Sequence, residues 1–198
     1  MNTKRPDTPK TVYLMGMKHS GKSTLGRLLA ARWEVRFVDL DDWMVARFRA
    51  AHGYTESEPS PGIRSVYRSL GAAGFRQLEA ETAGSLHSQL TNAGESAVIA
   101  LGGGTIENEQ AMDTLATNGT FVYLEEDAEV LFRRIERGGV PPFLAGPDPH
   151  AKFLDLYATR TSLYRQKASI AIPLAGLPVE AAFNRLQQLL EEYLNGRQ

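Results

Sequence analysis

Residues 16 to 24 read GMKHSGKST and stand between an apolar run, TVYLM, and a run with helical spacing, LGRLLAARW. This strand, loop and helix succession constrains the fold more than any other feature of the chain. A strand that passes through glycine directly into a helix is the opening of a crossover connection, and crossovers build parallel sheets. The pattern G-x-x-x-x-G-K-S also carries a chemical meaning. Its glycines let consecutive backbone N–H groups turn inward around phosphate oxygens at a helix N-terminus. Lys22 supplies a point charge for the β- and γ-phosphates, and Ser23 a hydroxyl for Mg²⁺. Average composition gives such a match by chance on the order of once in a hundred chains of this length. A glycine-rich turn with a surface lysine is the plain alternative, and the placement between strand and helix weighs against it. The expected contacts to a nucleoside triphosphate are therefore Gly16, His19, Ser20, Gly21, Lys22, Ser23 and Thr24. His19 reads as a solvent-facing filler of the loop rather than an acid or base, because phosphoryl transfer is mainly positioning and electrostatics.

Strand and helix signals alternate through the rest of the chain. EVRFVDLD (34 to 41) reads as a strand followed by a helical pattern, and GYTESEPSPGIR (53 to 64) as a loop or insertion. GFRQLEAETAGSLHSQL (74 to 90) has helical spacing, and SAVIALGGG (96 to 104) is a buried strand running into a glycine turn. GTFVYLEE (119 to 126) is another strand, and DAEVLFRRIERGG (127 to 139) a helix that starts on an Asp N-cap and ends in glycines. After the proline-rich VPPFLAGPDP come a helix from about Ala151 to Lys167, a short strand SIAIPL and a closing helix PVEAAFNRLQQLLEEYL. Five apolar strands separated by helices predict a five-stranded parallel sheet covered on both faces. Ligands of such sheets sit at the carboxyl ends of the strands. Asp39 to Asp42, Gly102 to Gly104 and Glu125 with Glu126 are thus the places to look.

Asp39 and Asp41 are one residue apart and would point the same way from an extended strand, one toward a metal's water shell and the other toward a substrate hydroxyl. The competing reading is that DLDD simply caps the next helix. The bare backbone of Gly102, Gly103 and Gly104 allows a ligand to come close, or forms an ordinary turn.

Composition limits the possibilities further. A length of 198 residues with 42% hydrophobic content suits one well-filled domain, here residues 11 to 198, behind a polar tail over 1 to 10 expected to be disordered. A net charge of -1 gives no electrostatic reason for a nucleic-acid or membrane partner, and the absence of cysteine removes disulfides, thiolate metal sites and a thiol nucleophile. No apolar stretch has the length of a signal or membrane segment, so a cytoplasmic location is expected; a monomer acting on a small molecule is the accompanying expectation.

The stretches GMKHSGKSTLGRLLA, FVDLDDWM, GFRQLE, VIALGGG and RTSLYRQKA, in this order and spacing, resemble shikimate kinase over about Thr11 to Leu194. The resemblance implies a phosphate-loop fold of the nucleoside-monophosphate-kinase type, an α/β three-layer architecture with a mobile lid over about 138 to 149. It implies ATP with Mg²⁺, and transfer to the 3-hydroxyl of shikimate, with the substrate-binding region over about 41 to 90. By the same resemblance Asp41 acts near the attacking hydroxyl, Asp39 lies close to Mg²⁺ with Ser23, and Arg76 and Arg160 bind the shikimate carboxylate. Glu79 would orient Arg76, and Gly102 to Gly104 would line the pocket through their N–H groups. The chain also departs from the family. Pro141 stands where a lid arginine is expected to reach over the phosphates, which makes Arg137 the first candidate for that catalytic role and Arg134 the second. Gln166 replaces a usual glutamate, and the 53 to 64 segment is longer than the family norm. Related acceptors such as gluconate, or a silent nucleotide-binding role, are the alternatives these departures raise.

Overall fold

The computed structural model describes residues 11–55, 57–117 and 119–196, and of Pro142 only the backbone. The tail expected to be disordered lies outside the described residues. The five expected strands are β1 (Thr11–Met15), β2 (Arg36–Asp39), β3 (Ala97–Ala100), β4 (Thr120–Glu125) and β5 (Ile170–Pro173). They form one sheet in the order β2-β3-β1-β4-β5, and every neighbouring pair is parallel. β1 lies at the centre, with Tyr13 opposite Ile99 on one side and Phe121 on the other.

The helices are α1 (Lys22–Trp33), α2 (Leu40–Ala51), α3 (Ile63–Ala93), α4 (Glu109–Ala116), α5 (Ala128–Arg137), α6 (Pro149–Lys167) and α7 (Val179–Asn195). They cover both faces, as the alternation of side chains along a strand requires. Val12 and Leu14 of β1 join Leu25 and Leu29 of α1 and Leu186 and Leu190 of α7 in one core. Tyr13 and Met15 point the other way, into a core with Met44, Leu86, Met112, Phe132 and Phe153. The molecule is a three-layer α/β fold.

Three local readings need correction. The strand expected over 34 to 41 closes at Asp39, and helix α2 starts at Leu40, so Asp41 lies in a first helical turn rather than on an extended strand. Helix α3 starts at Ile63, well before the expected 74. It is two helical segments joined across a kink at Gly71, whose φ of 67° and ψ of 179° no helix accommodates. The eight residues of α4 were not anticipated, although Asn108 caps it by accepting from Ala111 N. In the segment 138 to 149, Pro141 is buried and a 3-10 turn over Pro142–Leu144 places Leu144 in the core, while Phe143 is exposed. No helix among the described residues is long and apolar enough to cross a membrane.

Candidate active site

The loop after β1 folds as its glycines demand. Gly16 has a φ of 149°, and a β-carbon there would lie 2.8 Å from Leu124 O and 2.8 Å from Ser20 Oγ. Gly21, with a φ of 91°, is the N-cap of α1 and brings no side chain to satisfy the helix's first N–H groups. Those donors and the positive end of the helix dipole make an anion cradle. Lys22 Nζ donates to Gly16 O at 2.8 Å and to Met17 O at 2.9 Å, which holds the ammonium inside the loop. Burial pushes Lys22 down to about 8, against the opposing pull of Asp41 and Asp39.

The end of β2 supplies oxygen ligands beside this cradle. Asp39 serves two partners: its Oδ1 accepts from Asp41 N at 3.2 Å and caps α2, while its Oδ2 accepts from Ser23 Oγ at 2.6 Å. The capping and metal-site readings of DLDD are therefore compatible in one carboxylate. A divalent cation such as Mg²⁺ characteristically takes one or two protein oxygens together with phosphates and water, and the Ser23 and Asp39 pair fits that donor set. Burial, then the neighbouring Asp39 carboxylate, raises Asp41 to about 6, only partly countered by Lys22. A buried carboxylate with a raised pKa in the wall of a cavity that also holds Lys18 and Lys22 has the character of a proton acceptor.

Gly102 and Gly103 let the turn after β3 approach the Asp41 carboxylate and the phosphate loop. A β-carbon on Gly102 would lie 2.8 Å from Asp41 Oδ1, and one on Gly103 3.1 Å from Lys18 N. A cavity of about 470 Å³ results, whose wall includes Lys18, Lys22, Ser23, Asp39, Asp41 and the backbone of Gly102. Tyr164 Oη donates to Gly103 O at 2.6 Å and so pins the glycine turn to α6.

Of the two arginines expected to hold a carboxylate, Arg160 is mostly buried beside Gly104 and Arg76 is exposed on α3. Glu79 does not orient Arg76. Its Oε1 accepts from Thr105 Oγ1 at 2.6 Å and its Oε2 from Asn108 Nδ2 at 2.8 Å, so this buried carboxylate fastens the turn after β3 instead. Thr105, Asn108, Glu107 and Tyr164 are the residues that motif reading missed. Only Tyr164 lay within a quoted motif; the others become visible through contacts between segments distant in sequence.

The two candidates for the lid arginine stand in different places. Among the described residues, Arg134 lines the cavity and Arg137 does not. Arg134 Nη1 donates to His19 O at 2.9 Å, and its Nη2 pairs with Glu126 Oε2 at 3.1 Å. Glu126 is buried, and its other oxygen accepts from Gly176 N at 2.7 Å. His19 has a φ of 67°, a left-handed conformation unusual for a residue with a side chain, and Arg134 holds its carbonyl in place. Burial, then the charges of Lys18, Lys22 and Arg134, lower the His19 imidazole below its usual range. Arg137 is exposed one turn further on. Arg134→Ala is expected to lower turnover on the order of 100-fold with ATP and acceptor saturating, as for a removed transition-state donor, while Arg137→Ala stays within about twofold. Steady-state kinetics of the two variants decide this, and the reverse ranking would return the role to Arg137.

The shikimate kinase family model matches residues 18–191. The shikimate kinase of Nitrobacter winogradskyi is 36% identical over 171 residues, 86% of this chain and 72% of that one. That of Gloeobacter violaceus is 34% identical over 180 residues, 90% of this chain and 92% of the relative. Among solved structures, the shikimate kinase from Acinetobacter baumannii in complex with shikimate superposes with a TM-score of 0.75 at 28% identity, covering 92% of this chain and 93% of its own. Phosphate loop, paired aspartates, glycine turn and buried arginine thus occur in a chain matched along most of its length, and it belongs to the shikimate kinase family.

Proposed function

We propose that the protein transfers the γ-phosphoryl group of ATP to the 3-hydroxyl of shikimate, giving shikimate 3-phosphate and ADP. The observation that carries this reading is the meeting of Lys22, the Ser23 and Asp39 pair and Asp41 in one cavity beside Arg160, in a chain of this family. The hydroxyl oxygen forms a bond to the γ-phosphorus as the bond to the ADP oxygen breaks, and the hydroxyl proton passes to Asp41. Asp41 orients that hydroxyl, Lys22 and the N–H groups of the loop meet the charge on the transferred group, and Arg160 with Arg76 holds the acceptor carboxylate. Mg²⁺, held through Ser23 and Asp39, would neutralise charge on the β- and γ-phosphates. Arg134 takes the place of the lid arginine absent at Pro141. The segment 138 to 149, with glycines at 138, 139 and 146, is the part expected to close over ATP.

ADP release with Mg²⁺ and ATP tests the reading directly. A rise of at least about 10³-fold over ATP hydrolysis alone is expected with shikimate, and none with gluconate. Equal release with both acids, or none with either despite ATP binding, would refute it.

A further inference from the structure

The group expected to hold the acceptor's carboxylate already holds one. Arg160 Nη2 donates to Glu107 Oε2 at 2.8 Å, and the two side chains are 18% and 33% exposed. The bare face of Gly104 stands against both partners: a β-carbon there would lie 3.3 Å from Arg160 Nη2 and 3.9 Å from Glu107 Oε2. The Glu107 carboxylate therefore sits where glycine backbone and guanidinium converge, the position an acceptor carboxylate needs.

Glu107 is not placed there by a loose surface contact. It ends the 3-10 turn over Thr105–Glu107, and its own N–H donates to Gly104 O at 3.0 Å. Thr105 at the start of that turn and Asn108 just after it are both fastened to the buried Glu79. Asn108 Nδ2 also donates to Arg76 O at 2.9 Å, so the turn is tied to the helix that carries the second arginine. Yet Glu107 does not satisfy Arg160. It engages one nitrogen, while Arg160 Nε is buried with no hydrogen-bond partner among the described residues. A guanidinium with an unmet buried donor binds a well-placed planar anion more strongly than a single-point contact.

We propose that Glu107 is an internal competitor for Arg160, a carboxylate that the acceptor acid must displace, and that it is a determinant of acceptor affinity and charge selectivity. The inference rests on the proposed function, in which the acceptor is an acid bound through Arg160. Displacing Glu107 costs an ion pair, and leaving it nearby costs repulsion between two carboxylates. Either way wild type gives up affinity for an anionic acceptor that the neutral variant recovers.

Calorimetric titration of the full chain with shikimate, for wild type, Glu107→Gln and Glu107→Ala, tests this, with shikimate carboxamide as the uncharged control. Both substitutions are expected to tighten shikimate binding about two- to fivefold, the range of a partly exposed ion pair, with a smaller gain for the carboxamide and no change in ATP affinity. A residue that merely orients Arg160 would give weaker shikimate binding on substitution, and a structurally neutral one no change. Either result, with shikimate still bound, overturns this inference alone. Shikimate binding by none of the three proteins, with ATP binding intact, overturns the proposed acceptor and the inference with it.

Discussion

Lys22→Ala is expected to reduce phosphoryl transfer by about 10³-fold or more while the protein stays folded and binds shikimate as before. An ammonium has three donors, and two of those on Lys22 go to Gly16 O and Met17 O. The third remains for a phosphate oxygen, at a position fixed by the other two. Lys22→Arg should fail equally, because a planar fork does not fit a cradle built around a point charge. The value of about 8 has a consequence for pH. In the free enzyme Lys22 loses its charge as pH rises through 8, so kcat/KM for ATP should fall on the alkaline side. Single-turnover measurements with labelled ATP, alongside circular dichroism, check the first expectation. Turnover of Lys22→Ala within tenfold of wild type would remove the lysine from the catalytic role.

The second large effect is a pair of opposite changes from one substitution. Asp41→Asn should lower turnover by about 10³-fold, because the amide cannot accept the hydroxyl proton, and at pH 7 it should also raise Tm by about 3 °C or more. The sign follows from linkage. Asp41 is raised from 3.8 to about 6 on folding, chiefly by burial. Between those values the native state binds more protons than the unfolded chain, so stability falls as pH climbs through that window, and at pH 7 the charged carboxylate is a net cost. Asparagine removes the cost and the function together. Wild-type kcat/KM should show an acid limb near pH 6 that the variant lacks. A variant with lowered Tm at pH 7, or one retaining the acid limb, would mean that another group titrates.

Much of this site was legible in linear sequence because its chemistry is local. The phosphate loop places its glycines, Lys22 and Ser23 within nine residues, and backbone geometry at the mouth of one helix does the rest. The five strands were legible as short apolar runs for a similar reason: a strand buried on both faces has little freedom in composition. The reading faltered where an element's identity depends on what it packs against. Helix α4 is eight residues long and is held by Asn108 and by burial of Ala111, Met112 and Leu115. Helix α3 starts early because Val66 is buried, and its break at Gly71 is a matter of backbone dihedral angles. The aspartates were expected on a strand, yet α2 begins before Asp41, and they meet the same cavity because Asp39 caps the helix that carries Asp41.

The partners of the long side chains were decided by tertiary structure alone. Spacing on a helix put Glu79 next to Arg76, but the carboxylate turns into the interior toward Thr105 and Asn108, 26 and 29 residues away in sequence. The lid motif put Arg137 ahead of Arg134, but among the described residues it is Arg134 that lines the cavity, held by the carbonyl of His19, 115 residues away in sequence, and by the buried Glu126. By itself the sequence determined the layered parallel sheet, the anion cradle and the acidic groups beside it, because periodicity, glycine and helix dipole act over a few residues. Which arginine lines the cavity beside the phosphate loop, and which carboxylate faces Arg160, required the folded chain, because a flexible charged side chain is directed by whatever the fold brings within its reach.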